Sequence, residues 1–218
     1  MAKIFETSFK NGSLTERYSG DVFTLGAEAS FAKSEKGLTL DLPQVGGYTY
    51  ITLPTIFTNI GTTDFSVSLY CKINTTDPDW SACLFNAGST ALNEVMLWCN
   101  SRKIELTVCD ASAAYYSKKA TDTYKHGEWY HIVFTWVAST NTVALYIDGV
   151  LNDTAGTGTN GAATSNLTLG SQTTYGWQVS MDCTFGEVAI YDHILTTEDR
   201  INLLRDFNNS HPITRTIN

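Results

Sequence analysis

Several things are missing from this 218-residue sequence, and each absence removes a class of function. Lys and Arg never form a run, and the formal net charge is −8. A phosphate-binding surface needs clustered cations, so a nucleic-acid partner is not expected. No apolar stretch approaches the ~18–20 residues of a membrane span, and insertion into a membrane is not expected either. The opening residues, MAKIFETSFKNGS, carry no apolar h-region, so no secretory signal is expected in the chain as given.

The five cysteines, Cys71, Cys83, Cys99, Cys109 and Cys183, are odd in number, widely spaced and never arranged as CxxC. They read as reduced thiols, with neither a structural zinc nor a disulfide framework. The four histidines (His126, His131, His193 and His211) include no pair at metal-ligand spacing on one element. Five sequons begin at Asn11, Asn74, Asn152, Asn166 and Asn208, a coincidence expected of a chain so rich in Asn, Ser and Thr.

What is present is a strong period of two. Apolar residues make up 43% of the chain and charged residues 17%, a globular composition with enough apolar mass for a core. DFSVSLYCKI (64–73) puts Phe65, Val67, Leu69, Cys71 and Ile73 on one face. KIELTVC (103–109) does the same with Ile104, Leu106 and Val108, and GLTLDL (37–42) with Leu38, Leu40 and Leu42. VALYID (143–148) and GEVAIY (186–191) repeat the pattern with Val143, Leu145 and Ile147, and with Val188 and Ile190. Such alternation marks half-buried antiparallel strands.

Ser139-Thr140-Asn141 reads as a hairpin loop and Asp148-Gly149 as a tight turn. NDTAGTGTNGAATSN (152–166) reads as an exposed loop or weak edge strand. Many short strands joined by such turns predict a two-sheet antiparallel sandwich of the jelly-roll kind. The end of the chain breaks the pattern. In LTTEDRINLLRDFNNS (195–210), Thr196 or Thr197 can cap a short helix with Glu198 and Asp199 in its first turn. Ile201, Leu204 and Phe207 then recur at helical spacing, and Asn208-Asn209 is the expected end. Nothing divides the chain, so residues 1–210 are expected to form one domain and 211–218 a tail.

GEWYHIVFTW (127–136) is the densest apolar stretch. Trp129, His131, Val133 and Thr135 fall on one face, and Tyr130, Ile132, Phe134 and Trp136 on the other. Large residues on both faces predict a central strand covered on both sides. Trp129 is then expected as a core anchor and His131 as a hydrogen-bonded structural histidine.

The order of motifs DFSVSLYCKI, GEWYHIVFTW, NTVALYIDGVLNDT, NLTLGS and FGEVAIYDHILTTEDRINLL resembles the laminin G-like, concanavalin A-like jelly-roll family. The resemblance spans about 37–207, with GLTLDLPQVGGYTYITLP similar to its opening strands and the first strand expected in IFETSF. The chain departs from the family where Gly186 stands in place of an acidic residue and Tyr70 in place of a tryptophan.

Retaining glycosidases of this fold carry Glu-x-Asp-x-(x)-Glu on one strand. No Glu here has an Asp two positions later, so an enzyme is not expected. Sugar rings stack on exposed aromatics beside polar groups, and the aromatics set among polar residues are Tyr175 and Trp177 first, then Trp80, Tyr115 and Tyr116. The resemblance also implies a Ca²⁺ site at the sandwich rim, for which Asp77, Asp79, Asp153 and Asp182 offer hard oxygen ligands. The expected function is non-catalytic recognition of a glycan. The setting inferred from fold analogy and the missing signal is a phage virion, as a capsid decoration or tail adhesin that meets host-surface polysaccharide, with the cytoplasm as the other location. A purely structural virion protein and a glycoside hydrolase or lyase are the alternatives, and self-association stays open.

Overall fold

The computed structural model describes residues 2–9, 12–34, 36–43, 49–52, 55–58, 60–74, 82–88, 93–156, 166–170 and 181–210. Among these, the strands are β1 (Lys3–Ser8), β2 (Thr24–Leu25), β3 (Ser30–Ser34), β4 (Gly37–Leu42), β5 (Thr49–Thr52), β6 (Phe65–Ile73), β7 (Ala82–Gly88) and β8 (Glu94–Asn100). They continue as β9 (Lys103–Cys109), β10 (Tyr115–Lys119), β11 (Trp129–Val137), β12 (Thr142–Ile147), β13 (Val150–Asn152), β14 (Thr154–Ala155), β15 (Asn166–Leu169) and β16 (Cys183–Tyr191). One helix, α1 (Thr197–Ser210), follows.

The strands form two eight-stranded antiparallel sheets. The first runs β13-β12-β11-β6-β16-β4-β3, with β1 beside β16, and the second runs β14-β10-β9-β8-β7-β15-β5-β2. The two-sheet antiparallel jelly roll with a C-terminal helix is therefore the observed fold. Its core lies where the sequence period places it. Phe65, Val67, Leu69, Cys71 and Ile73 of β6 are fully buried and meet Val95, Leu97, Ile104, Leu106 and Val108 from the second sheet. All five cysteines are buried, and none is in a disulfide.

The outer face of the first sheet differs from the half-buried strand expected. Ser66, Ser68 and Tyr70, on the polar side of β6, are buried as well. The cover is α1, which packs Leu203 with Val133, Ala189, Tyr191 and Leu195. Phe207 stacks on Tyr70 at 3.6 Å between ring centroids, and Tyr70 stacks in turn on His131 at 4.3 Å. The Tyr70 hydroxyl donates to the Leu203 carbonyl. Thr196 caps the helix, accepting from the Asp199 N–H at 3.1 Å while its own N–H donates to the Asp199 carboxylate at 2.9 Å.

Two details of the helix correct the sequence reading. Ile201 is 53% exposed, because the docked stripe is Arg200, Leu203, Leu204 and Phe207. Also, α1 continues through Asn208 and Asn209 to Ser210 instead of ending there.

The helix also explains the loss of the family's acidic residue. Gly186 lies at an irregularity in the β16–β6 ladder, between Phe185 and Glu187. A Cβ there would stand 3.2 Å from Phe207 Cε2 and 3.6 Å from Trp129 Cζ3. A side chain at this position crowds the ring. No helix among the described residues is long and apolar enough to cross a membrane.

Candidate functional site

Sequence alternation aims Trp129 and Tyr130 to opposite sides of β11, and at the start of the strand both reach the end of the sandwich. Trp129 is half-buried where the sequence predicts a core anchor. It lies at the rim because the sheet ends there, with Phe207 packed against its ring at 5.8 Å. Gly127, at φ +71°, turns the chain into the strand, its N–H bonded to the Ile73 carbonyl.

Opposite the start of β11, the β12–β13 hairpin turns at Asp148 and Gly149, both with positive φ (50° and 81°). This is the Asp-Gly turn that matches strand twist. The Asp148 N–H donates to the His131 carbonyl at 2.8 Å, and the His131 N–H donates to Asp148 Oδ1 at 2.9 Å. His131 is buried, with Nε2 2.9 Å from Ser68 Oγ, as a structural histidine would be. The Asp148 turn is exposed, but loss of water around the carboxyl pushes its pKa up, while the His131 N–H pulls it down.

Two hollows meet at this turn. One, of about 220 Å³, is lined by Tyr70, Trp129, Tyr130, His131, Asp148, Leu204, Phe207 and Asn208. The other, of about 280 Å³, is lined by Ile104, Ala120, Asp122, Thr123, Tyr124, Tyr130, Ile147, Asp148, Val150 and Asn152. They adjoin at Tyr130 and Asp148, which line both, the first hollow reaching toward the end of α1 and the second toward Ile104 and Ala120, and the two together make the candidate groove. Each alone is smaller than the ~300–1,000 Å³ of a drug-sized ligand site.

The groove offers aromatic and aliphatic walls, the carboxylates of Asp122 and Asp148, and the amides of Asn152 and Asn208. Asn152 is oriented by the Thr121 N–H at 3.1 Å and the Val150 carbonyl at 3.0 Å. The Tyr130 hydroxyl accepts from the Lys125 N–H at 2.7 Å and keeps its proton to donate. This combination suits a ligand with apolar faces and a rim of hydroxyls.

Sequence reasoning placed its aromatic candidates elsewhere. Tyr175, Trp177 and Trp80 lie outside the described residues, as do Asp77 and Asp79. Tyr115 and Tyr116, though set among polar residues in the sequence, lie on strand β10, paired with Cys109 and Val108. As neighbours on a strand they point to opposite sides. Tyr116 packs edge-on against core Trp136 at 5.2 Å and donates to Asp110. Tyr115 is half-buried. Asp153 pairs with Lys118 at 2.6 Å, and Asp182 accepts from Asn74 at 3.2 Å. Among the described residues no three His, Cys, Asp or Glu side chains come together as a metal site.

Two buried carboxylates share the outer face of the second sheet. Glu94 accepts from Asn86 at 3.0 Å, and burial pushes its carboxyl up to about 7. Glu105 accepts from Asn100 and pairs with Lys119, each at 3.3 Å. Glu105 stands opposite Trp98, four residues along β8 from Glu94. At ~3.3 Å per residue their backbone positions lie roughly 13 Å apart along the strands, and each carboxylate is held by its own partners.

No curated protein sequence matches the chain. The fold has solved relatives. The binding domain of Paraclostridial Mosquitocidal Protein 1 is similar at a TM-score of 0.73 and 12% identity, covering 95% of this chain and 52% of that one. The botulinum neurotoxin serotype G binding domain is similar at 0.72 and 11%, covering 94% and 51%. The serotype D ligand binding domain, solved in complex with N-acetylneuraminic acid, is similar at 0.71 and 16%, covering 94% and 50%. The chain thus spans about half the length of these binding domains, and at such identities the likeness is one of fold. A sequence family model matches residues 45–199, well over half of this chain. By that match, the chain belongs to the concanavalin A-like lectin/glucanases superfamily.

Proposed function

We propose that this chain is a non-catalytic recognition domain whose ligand is a glycan. The observation that carries the reading is the groove at Asp148. There a half-exposed indole, a carboxylate and an amide line one hollow, and the same carboxylate and a second amide line the adjoining one. The apolar C–H face of a sugar ring suits Trp129, and its hydroxyls suit Asp148, Asn152 and Asn208. The engagement of Glu94 and Glu105 with their own partners supports binding without hydrolysis, and the fold relatives named above are binding domains. Tyr175, Trp177 and Trp80 are proposed as further glycan contacts, with Tyr115 and Tyr116 as lesser ones. A rim Ca²⁺ at Asp153 or Asp182 is not part of this reading, since each already has a protein partner.

The test is retention of the whole chain on a broad panel of immobilised glycans, beside Trp129→Ala and a Tyr175→Ala/Trp177→Ala double variant. Retention on some glycan, weakened by either variant without loss of fold, is expected. Binding to no glycan, or release of reducing ends from polysaccharides, would overturn the reading. The finer expectation of a virion-surface protein rests on fold analogy, and the relatives named here are toxin domains. Its test is co-purification with assembled particles.

A further inference from the structure

We infer that the groove holds two consecutive residues of an uncharged glycan, one ring in each hollow, with Asp148 hydrogen-bonded to both. The inference rests on the glycan reading and specifies it. Its basis is that the two hollows share a wall. They lie on opposite sides of β11, one against α1 and one between the sheets, and only Tyr130 and Asp148 line both. Each hollow repeats the same combination of an aromatic wall and an amide. Trp129 stands with Asn208 in the first, and Tyr124 with Asn152 in the second.

Asp148 is well placed to serve both rings. Its Oδ1 accepts from the His131 N–H, which fixes the carboxylate at the junction while leaving lone pairs to spare. A ligand one residue long would leave one hollow, with its apolar wall, in water. Burial of apolar surface at ~25 cal/mol per Å² favours the ligand that fills both.

Charge sets the second half of the inference. Asp122 and Asp148 line the groove, Glu128 acts electrostatically on Asp148, and Asp206 acts on Tyr70. The neighbouring cations are already engaged. Lys36 sits 4.8 Å from the centre of the Phe207 ring, Lys72 lies 5.6 Å from that of Trp129, and Lys125 pairs with Glu128 at 3.6 Å. A sugar carboxylate or sulfate would be repelled by Asp148, and among the described residues no Lys or Arg lines either hollow.

The experiment uses an array of mono-, di- and trisaccharides on one linker, neutral and acidic, with the whole chain and two variants. Val150→Glu intrudes on the second hollow from a residue that is 67% exposed, so the fold should tolerate it. Trp129→Ala opens the first hollow, with thermal unfolding confirming that the variant folds. The inference expects neutral disaccharides to bind at least tenfold more tightly than either component sugar, trisaccharides to add little, and each variant to reduce the disaccharide to the level of a monosaccharide. Equal binding of a monosaccharide, indifference to Val150→Glu, or preference for sialylated or sulfated glycans would overturn it while leaving glycan recognition intact. Binding to nothing on the array would overturn glycan recognition itself, and this inference with it.

Discussion

Asp148 and His131 are tied by two reciprocal hydrogen bonds, Asp148 N–H to the His131 carbonyl and His131 N–H to Asp148 Oδ1. The pair does two jobs with the same atoms. It closes the β12–β13 hairpin onto β11, and it holds a carboxylate where the two hollows meet.

Substitution at Asp148 separates those jobs. Asn tolerates positive φ and retains an oxygen for the His131 N–H. Asp148→Asn should therefore unfold within about 0.5 kcal/mol of the parent. A hydrogen bond to a charged group is worth about 1.5–3 kcal/mol, so glycan affinity should fall roughly tenfold to a hundredfold. Asp148→Ala should lose both affinity and stability. Chemical unfolding with glycan titration checks this, and unchanged affinity in Asp148→Asn would remove the carboxylate from the site.

Two buried groups give stability opposing pH dependences. Burial pushes the His131 imidazole down to about 3, so only the unfolded chain takes a proton as pH falls below ~6.5. That contribution is full above ~6.5 and is lost toward pH 3, at up to ~1.4 kcal/mol per unit. Burial pushes Glu94 up to about 7, and its contribution is full below ~4.3 and lost as pH rises to about 7. Between these limits the slopes oppose, and the parent should be nearly flat from pH 4.5 to 6.5. Glu94→Gln leaves the His131 slope alone and should gain stability across that window, by about 1–2 kcal/mol. Urea midpoints at pH 5 and 6.5 decide it, and parallel curves would rule out the Glu94 contribution.

Gly186 should not accept the acidic residue common in its family. A side chain there meets the Phe207 ring, and overpacking of this kind costs about 1–3 kcal/mol. Gly186→Asp should free the end of α1, visible as lost helical circular dichroism. Because Phe207 and Asn208 wall the first hollow, glycan binding should be lost with it. A variant with an intact helix and full affinity would show that the ring has room to move.

The five buried thiols should resist modification. Burial raises the pKa of Cys71, Cys83, Cys99 and Cys183, keeping them protonated. Ellman's reagent should find almost no reactive thiol in the folded chain and five after denaturation in guanidinium. Rapid reaction of one thiol in the native state would place it at the surface.

Strand positions were legible in the sequence because a period of two is a local signal. Phe65, Val67, Leu69, Cys71 and Ile73 face inward as the alternation requires, Ser139-Thr140-Asn141 links β11 to β12, and Asp148-Gly149 turns directly after β12. The burial of Ser66, Ser68 and Tyr70 was not legible, since it depends on a helix more than a hundred residues later. For the same reason Ile201 fits the helical period yet faces solvent. The sheet takes the stripe carrying Leu203, and periodicity alone does not choose between adjacent stripes. The groove was hidden differently. Trp129 has the composition of a core residue and reaches the rim only because β11 begins there. Asp148 carried a visible signal, but as a turn residue, and its second role needs the position of His131.

The most direct test of glycan recognition at this groove is calorimetric titration of the whole chain and of Trp129→Ala with the best-retained neutral glycan from the panel. The account predicts measurable affinity in the parent and at least a tenfold loss in the variant at unchanged folding. Equal affinity in the two proteins would contradict it and place the binding surface elsewhere on the molecule.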